Sequence, residues 1–267
     1  MSENKVKMRR EAKMKYMALN KWMCLHISGT LENGSVFVIV LLMIHIMSAE
    51  PPNLGEPVTI KPFVLRSQLY GIVKDRTQAD RELEVLRRNQ QLRIFKLNTG
   101  KDDDAVMFYD DYLCQDVLAL SKIFIQKRRI EFFKNFRTKV INCCLDCDIN
   151  HQKLAELVSL GTEMTDKDIS LLINAGLLTR KLIDQTSYWF AIPNIGSVLK
   201  GISQGRRELM SLLNRRRYKD MMLGPLKKKR LRSSPLSAEF HLSDLVGSGR
   251  LQIVDTPAGH VVRVSRD

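Results

Sequence analysis

The spacing of apolar residues changes period three times between Thr77 and Val264, each time in the same order. In the first copy "QADRELEVLRRNQ" places its apolar residues at helical spacing, with Thr77 positioned to cap it and Asp80 at the third helical position. Two strand-like runs follow, "LRIFKLN" and "AVMFYDDY", on either side of the acidic turn "TGKDDD". The second copy has Thr165 before "DKDISLLINAG", Asp168 at the matching position and Gly176 as a stop, then "LLTRKLI", "DQTS" and "YWFAIP". In the third, Ser237 precedes "AEFHLSDLVG", and "RLQIVDT", "PAG" and "HVVRVS" complete the set. Each copy predicts a capped helix followed by a β-hairpin.

More helix-forming sequence lies upstream of every copy: "RSQLYGIV", then "KIFIQKRRIEFFKNFRTKVINCC" with "HQKLAELV", then Ser197 to Leu223. Helices leading into a helix and a hairpin give the winged-helix arrangement. The sequence therefore predicts an α+β protein, mainly α, of three tandem winged-helix domains at residues 58–121, 122–195 and 196–267. Residues 1–57 form a basic, Met-rich leader that contains the apolar run "VFVIVLLMIHIM" from Val36 to Met47. With His45 inside it, that run falls short of the roughly 20 apolar residues a membrane span needs. It also begins too far from the start for a secretory signal. It is expected to be buried, as a strand or as the first helix of the next domain.

Charge adds a partner class. The formal net charge is +14 and the sequence pI about 9.7, enough to attract polyanions over roughly 10 Å. Most of the excess sits between Lys200 and Arg232, where Glu208 and Asp220 are the only carboxylates. Such localisation points to a defined contact surface for nucleic acid or an acidic membrane. Five cysteines are an odd number, and three are bunched in "CCLDC", a poor disulfide framework that fits a reducing compartment.

If Ser197 to Leu223 is helical, Leu199, Ile202, Leu209, Met210, Leu212 and Leu213 fall on one side. Lys200, Gln204, Arg207, Ser211, Asn214 and Arg215 then line the opposite side as a one-signed stripe about 22 Å long. Arg206 and Arg217 flank the apolar side. Lys227, Lys228, Lys229, Arg230 and Arg232 continue the positive surface, and "KKKRLR" also reads as a nuclear-import signal. The candidate DNA-binding residues are Lys200, Arg206, Arg207, Arg215, Arg216, Arg217, Lys227, Lys228, Lys229 and Arg230. The groove-facing helices expected of the three domains are acidic or mixed, so binding is expected to run through the phosphate backbone and to weaken steeply with salt.

Catalytic patterns are weak by comparison. "LVGSGRLQIV" holds Gly247 and Gly249, yet it lacks a third glycine and the kinase motifs that should follow; a helix stop before a hairpin is the simpler reading. Cys144, Cys147 and His151 have metal-like spacing without a second ligand pair, and read as small core residues at a helix end. Asp102, Asp103, Asp104, Asp110 and Asp111 read as solvated charge around a hairpin tip. No catalytic residue, metal site or cofactor is expected.

"PFVLRSQLYGIVKDRTQADRELEVLRRNQQLRIFKL", "LLINAGLLT", "YWFAIPNIG" and "FHLSDLVGSGRLQIVDTPAGHVVRV" together resemble the serine/threonine-protein kinase 19 family, from about Pro62 to the C-terminus. The resemblance implies three winged helices with no kinase domain, in a nuclear, chromatin-associated DNA-binding protein of transcription-coupled nucleotide excision repair. Implied partners are double-stranded DNA, RNA polymerase II, the Cockayne syndrome A complex, UVSSA and the XPD subunit of TFIIH. The family's DNA-contacting cations map to Lys200, Arg215, Arg217, Lys228 and Lys229, while Asn214 stands where relatives tend to be basic. RNA is the alternative polyanion, no membrane is expected, and the chain is expected to be a monomer or weak dimer in the nucleus. Two competing readings remain: a serine/threonine kinase, as the family name asserts, and a protein-only scaffold whose basic segment serves import.

Overall fold

A computed structural model describes residues 60–265, apart from 74, 98, 100–102, 122–126, 159–163 and 185; the side chains of 116–130 are outside that description. The leader, with its Val36–Met47 segment, also lies outside the described residues.

The described chain is a mixture of helices and small sheets in which one unit recurs. The first unit holds β1 (Val64–Leu65), α1 (Arg66–Tyr70), α2 (Arg76–Arg88), β2 (Leu92–Lys96) and β3 (Asp104–Phe108). Helix α3 (Tyr109–Ser121) and helix α4 (Lys127–Asn135) follow, and α4 widens into a π-helical stretch, Phe136–Ile141. The second unit holds β4 (Asp148–Asn150), α5 (His151–Val158), α6 (Asp166–Asn174), β5 (Leu178–Arg180) and β6 (Ser187–Phe190). The third opens on the long α7 (Gly196–Asn214), then β7 (Asp220–Met222), α8 (Leu223–Lys227), α9 (Ala238–Gly247), β8 (Leu251–Thr256) and β9 (Gly259–Val264). In every sheet the strands are antiparallel and the last strand lies between the other two.

The hairpins fall where the alternating runs place them, and two of the three caps do as well. Ser237 accepts from the Phe240 amide at 3.2 Å. At Thr165 the reciprocal half of the box is made: its amide donates to Asp168 at 3.0 Å and its hydroxyl at 2.7 Å. Gly176 takes φ +73° at the end of α6, where a side chain would also press on Pro193. The first cap is different. Helix α2 starts earlier than expected, because Asp75 accepts from the amides of Thr77 and Gln78 at 2.8 and 3.1 Å. Asp80 then turns to the Arg66 guanidinium and the Tyr70 hydroxyl.

Two further expectations are corrected. The helix expected over Ser197 to Leu223 stops at Asn214, because the chain must return to pair Met221 with Val262 in the third sheet. Asp103 and Asp104 are not solvated: Asp103 meets Arg206, and Asp104 meets Arg66 at 2.9 Å and Lys96 at 3.2 Å. Asp103, just ahead of β3, thereby reaches Arg206 of the third unit, while the partners of Asp104 lie within the first.

The units share their interior. One cluster runs from Phe63 and Phe95 through Phe136, Leu172 and Phe190 to Val198, Ile202 and Phe240. Arg93 of β2 is buried between the first two units: it donates to the Ile141 carbonyl at 2.9 Å, and its guanidinium lies 4.3 Å from the centre of the Phe190 ring. Leu209, Leu213, Leu226, Leu231, Leu245 and Val262 form a separate core within the third unit. At roughly 2 kcal/mol for each fully buried aliphatic side chain, these clusters supply the main favourable term.

Candidate nucleic-acid interface

Helix α7 is amphipathic in the manner its spacing predicts. Val198, Ile202, Leu209 and Leu213 face the core, while Lys200, Arg207, Ser211 and Asn214 are exposed and Gln204 is half-buried. Gly201 and Gly205 also face inward. A side chain at Gly205 would overlap the His241 ring, so this glycine lets α9 approach closely.

Arg206 falls within the same buried row, four residues after Ile202 and three before Leu209, and it leaves the set of DNA contacts. Its guanidinium meets Asp244 through Nε at 2.5 Å and Nη2 at 3.0 Å, and Asp103 through Nη1 and Nη2. Burial alone would lower its pKa; the two carboxylates outweigh that and raise it. Burial likewise pushes the Asp103 carboxyl up, and the Arg206 and Thr99 hydrogen bonds bring it below its ordinary value. Arg206 is thus a structural cation joining α7, α9 and the first hairpin. The periodicity that sets it among apolar residues was the available signal.

Beyond Asn214 the chain leaves the helix, so Arg215, Arg216 and Arg217 sit on the exposed connection to β7 rather than on the helical stripe. Arg217 lies over the Tyr218 ring at 5.3 Å. Lys219, outside the sequence-derived set, is exposed on the same connection. In the second basic segment Lys228, Lys229 and Arg230 are exposed, whereas Lys227 at the end of α8 is half-buried and pairs with Glu239 at 3.2 Å. Among the described residues, Lys200, Arg207, Arg215, Arg216, Arg217, Lys228, Lys229 and Arg230 are in none of the ion pairs found.

Glu208 draws the two basic segments toward each other. Both of its oxygens accept from the Arg232 amide at 3.0 Å, and one accepts from the Ser233 amide at 2.9 Å and from the Ser233 hydroxyl. Burial opposes ionisation of Glu208, yet these donors hold its pKa below the ordinary value. The end of the lysine-rich loop is therefore fastened to α7 beside Arg207. Sequence spacing marked Glu208 only as a carboxylate lying off the positive stripe.

The inner helix of the third unit is not available as a reader. Ala238, Phe240, His241, Leu242, Asp244, Leu245 and Gly247 of α9 are all buried. The helix packs against α1 of the first unit, where Ser67 Oγ donates to Asp244 at 2.5 Å and Gln68 Nε2 donates to the Phe240 carbonyl at 3.1 Å. Gly249 adopts φ +77° before β8, a turn conformation.

Elsewhere, Cys144 is buried at the end of the π-helical stretch and its thiol is pushed up by burial, while His151 Nδ1 lies 3.4 Å from the Tyr188 hydroxyl. Among the described residues no group of three His, Cys, Asp or Glu side chains is placed to hold a metal, and no helix is long and apolar enough to cross a membrane. Asp110 and Asp111 open the first turn of α3, where acidic side chains suit the helix dipole.

Three sheets of one strand order, two helices between the first and second strands of each and a cation-rich flank on the last unit define the class: a mixed α+β protein built by repeating one small motif. The chain belongs to the family described as inactive serine-threonine protein kinase 19, whose model matches residues 47–264, beginning upstream of the Pro62 expected from the resemblance. That description, inactive, supports the reading of the chain as a non-enzyme. Similar proteins are called winged helix repair factor 1. The one from Homo sapiens is 28% identical over 223 residues, covering 82% of each chain. The Xenopus laevis protein is 30% identical over 215 residues, 78% of this chain and 76% of that one. The Dictyostelium discoideum protein is 24% identical over 233 residues, 76% of this chain and 58% of that one.

Proposed function

We propose that this chain is a non-enzymatic DNA repair factor of three tandem winged-helix domains that acts in the nucleus and grips duplex DNA by its phosphate backbone. The reading takes its repair role from relatives called winged helix repair factor 1 and its domain plan from the thrice-repeated sheet order. One observation carries the binding mode. The third unit exposes Lys200, Arg207, Arg215, Arg216, Arg217, Lys228, Lys229 and Arg230, while its inner helix is buried against the first unit. Base edges are read by an element that enters a groove; phosphates need only exposed cations. Low sequence preference and a steep salt dependence follow.

Within that role, the chain serves transcription-coupled nucleotide excision repair as an adaptor. The DNA-bound third unit leaves the first two to meet protein partners: the Cockayne syndrome A complex, UVSSA, RNA polymerase II and the XPD subunit of TFIIH. The test is duplex binding by fluorescence anisotropy across a salt series. Lys200→Glu, Arg215→Glu and Lys228→Glu together should weaken binding by at least about a hundredfold and flatten the salt slope by roughly one for each phosphate no longer neutralised. Unchanged affinity with an intact far-UV spectrum would overturn the DNA reading and leave the lysine-rich loop to nuclear import.

A further inference from the structure

The latch between Glu208 and the loop ending at Ser233 has a chemical feature that DNA contact does not use. Ser233 is exposed, and its hydroxyl rests on a carboxylate that also holds the Arg232 and Ser233 amides. Leu231, two residues earlier, is buried in the core of the third unit, so the fastening consists of one apolar plug and one carboxylate. The residues leading to Ser233 are Lys228, Lys229, Arg230, Leu231 and Arg232, and every cation among them is exposed on irregular chain or a turn. A hydroxyl with cations one, three, four and five positions ahead of it suits a kinase cleft lined with carboxylates, by simple charge complementarity.

We propose that Ser233 is the phosphorylation site of a cation-directed serine/threonine protein kinase, and that phosphate there opens the Glu208 latch and switches off DNA contact. The inference rests on the DNA-binding reading for its consequence, though not for the latch itself. In the step, Ser233 Oγ attacks the γ-phosphorus of ATP and a new O–P bond forms. The bond from that phosphorus to the bridging oxygen of the β-phosphate breaks, ADP departs, and the hydroxyl proton passes to the kinase's base. The product carries a charge of about −1.5 to −2 and has no hydrogen left to donate to Glu208. Like charges then face each other across the latch, while phosphate oxygens compete for Arg230 and Arg232 with any DNA backbone. Both effects lower the positive potential and free the loop.

Ser234 is the contrasting hydroxyl. It precedes Pro235, is half-buried, lies 2.8 Å from His241 Nε2 and accepts from the Leu236 amide at 3.1 Å. A proline-directed kinase would choose it; a cation-directed kinase takes the exposed latch serine.

The experiment treats the full chain with ATP and the catalytic subunit of a cyclic-AMP-dependent kinase, a representative cation-directed enzyme. Mass spectrometry then locates the phosphate, amide hydrogen exchange follows Arg232 and Ser233, and anisotropy measures duplex binding. The expected result is one phosphate on Ser233, faster exchange at both amides, and duplex affinity reduced about tenfold or more. A Ser233→Ala chain taken through the same reaction should keep its own starting affinity. Phosphate on Ser234, no incorporation, or phosphate on Ser233 with exchange and affinity unmoved would each overturn the proposal. Failure of the unmodified chain to bind duplex would instead count against the DNA-binding reading, and the exchange data would still decide the latch.

Discussion

His241 lies at the crossing of α7 and α9, where a Cβ on Gly205 would come within 2.2 Å of its Nε2. Its Nε2 lies 2.8 Å from the Ser234 hydroxyl, whose oxygen also accepts from the Leu236 amide, while its Nδ1 is buried without a hydrogen-bond partner. Burial lowers the imidazole pKa to about 4, outweighing the charge of Asp244, which raises it; Arg206 lowers it further and Glu208 raises it by less. The ring is therefore neutral in the fold at pH 7. Between the ordinary value of 6.5 and about 4, the unfolded chain binds a proton that the folded chain refuses, so stability falls as pH drops through that window. The full difference corresponds to about 3 kcal/mol, an upper bound. Urea unfolding followed from pH 7 to pH 4 should show this loss, and a His241→Gln chain should start less stable at pH 7 and show a flatter profile over the same range. A parallel slope in the variant would assign the acid sensitivity to other groups.

At the level of elements, what could be read along the chain was what short-range geometry decides. Helices α6 and α9 with their caps, the Gly176 stop and the three hairpins are each set by residues within a few positions of one another. Strands β1, β4 and β7 are two or three residues long, too short for any alternation to register; they exist because a hairpin already formed offers them an edge. The end of α7 was illegible for a related reason: no glycine or proline lies between Asn214 and Gly224, and the break after Asn214 is imposed by pairing of β7 with β9. Eight of the ten candidate cations lie on the surface; Arg206 is buried and Lys227 is half-buried against Glu239, because their partners come from elsewhere in the fold. Glu208 acts through the same long-range logic, fastening a loop twenty-four residues away. Replacing it as Glu208→Gln keeps its shape and removes its charge. The variant should lose about 1 kcal/mol of stability at pH 7 and exchange the Arg232 and Ser233 amides faster. Since the native pKa of Glu208 is lowered, its contribution is present above the ordinary carboxylate range and disappears as acid protonates it; the gap between the two proteins should close there.

For the molecule as a whole, the decisive contact joins the first unit to the third. Arg206, Asp244 and Ser67 form one chain of charge-assisted hydrogen bonds that spans α7, α9 and α1, and Asp103 brings in the first hairpin. Next to it the backbones of α9 and α1 meet so closely that a Cβ on Gly247 would lie 1.7 Å from the Ser67 carbonyl oxygen. Neither atom belongs to a flexible side chain, so no local rotation relieves the overlap. Gly247→Ala must therefore push the two helices apart, weakening Ser67 to Asp244, Gln68 to Phe240 and Arg76 to Gly247 together. The expected cost is at least about 2 kcal/mol, seen as a lower melting temperature and faster amide exchange in α1. The exposed cations proposed to contact DNA all belong to the third unit, whose own core of Leu209, Leu213, Leu226, Leu245 and Val262 does not include α1. Duplex affinity measured below the melting temperature should then stay within about threefold of the starting protein, an energy difference under 1 kcal/mol. A much larger loss would mean that the DNA-gripping face extends across the joint between the units, and that α1 and α9 hold the ligand as well as each other.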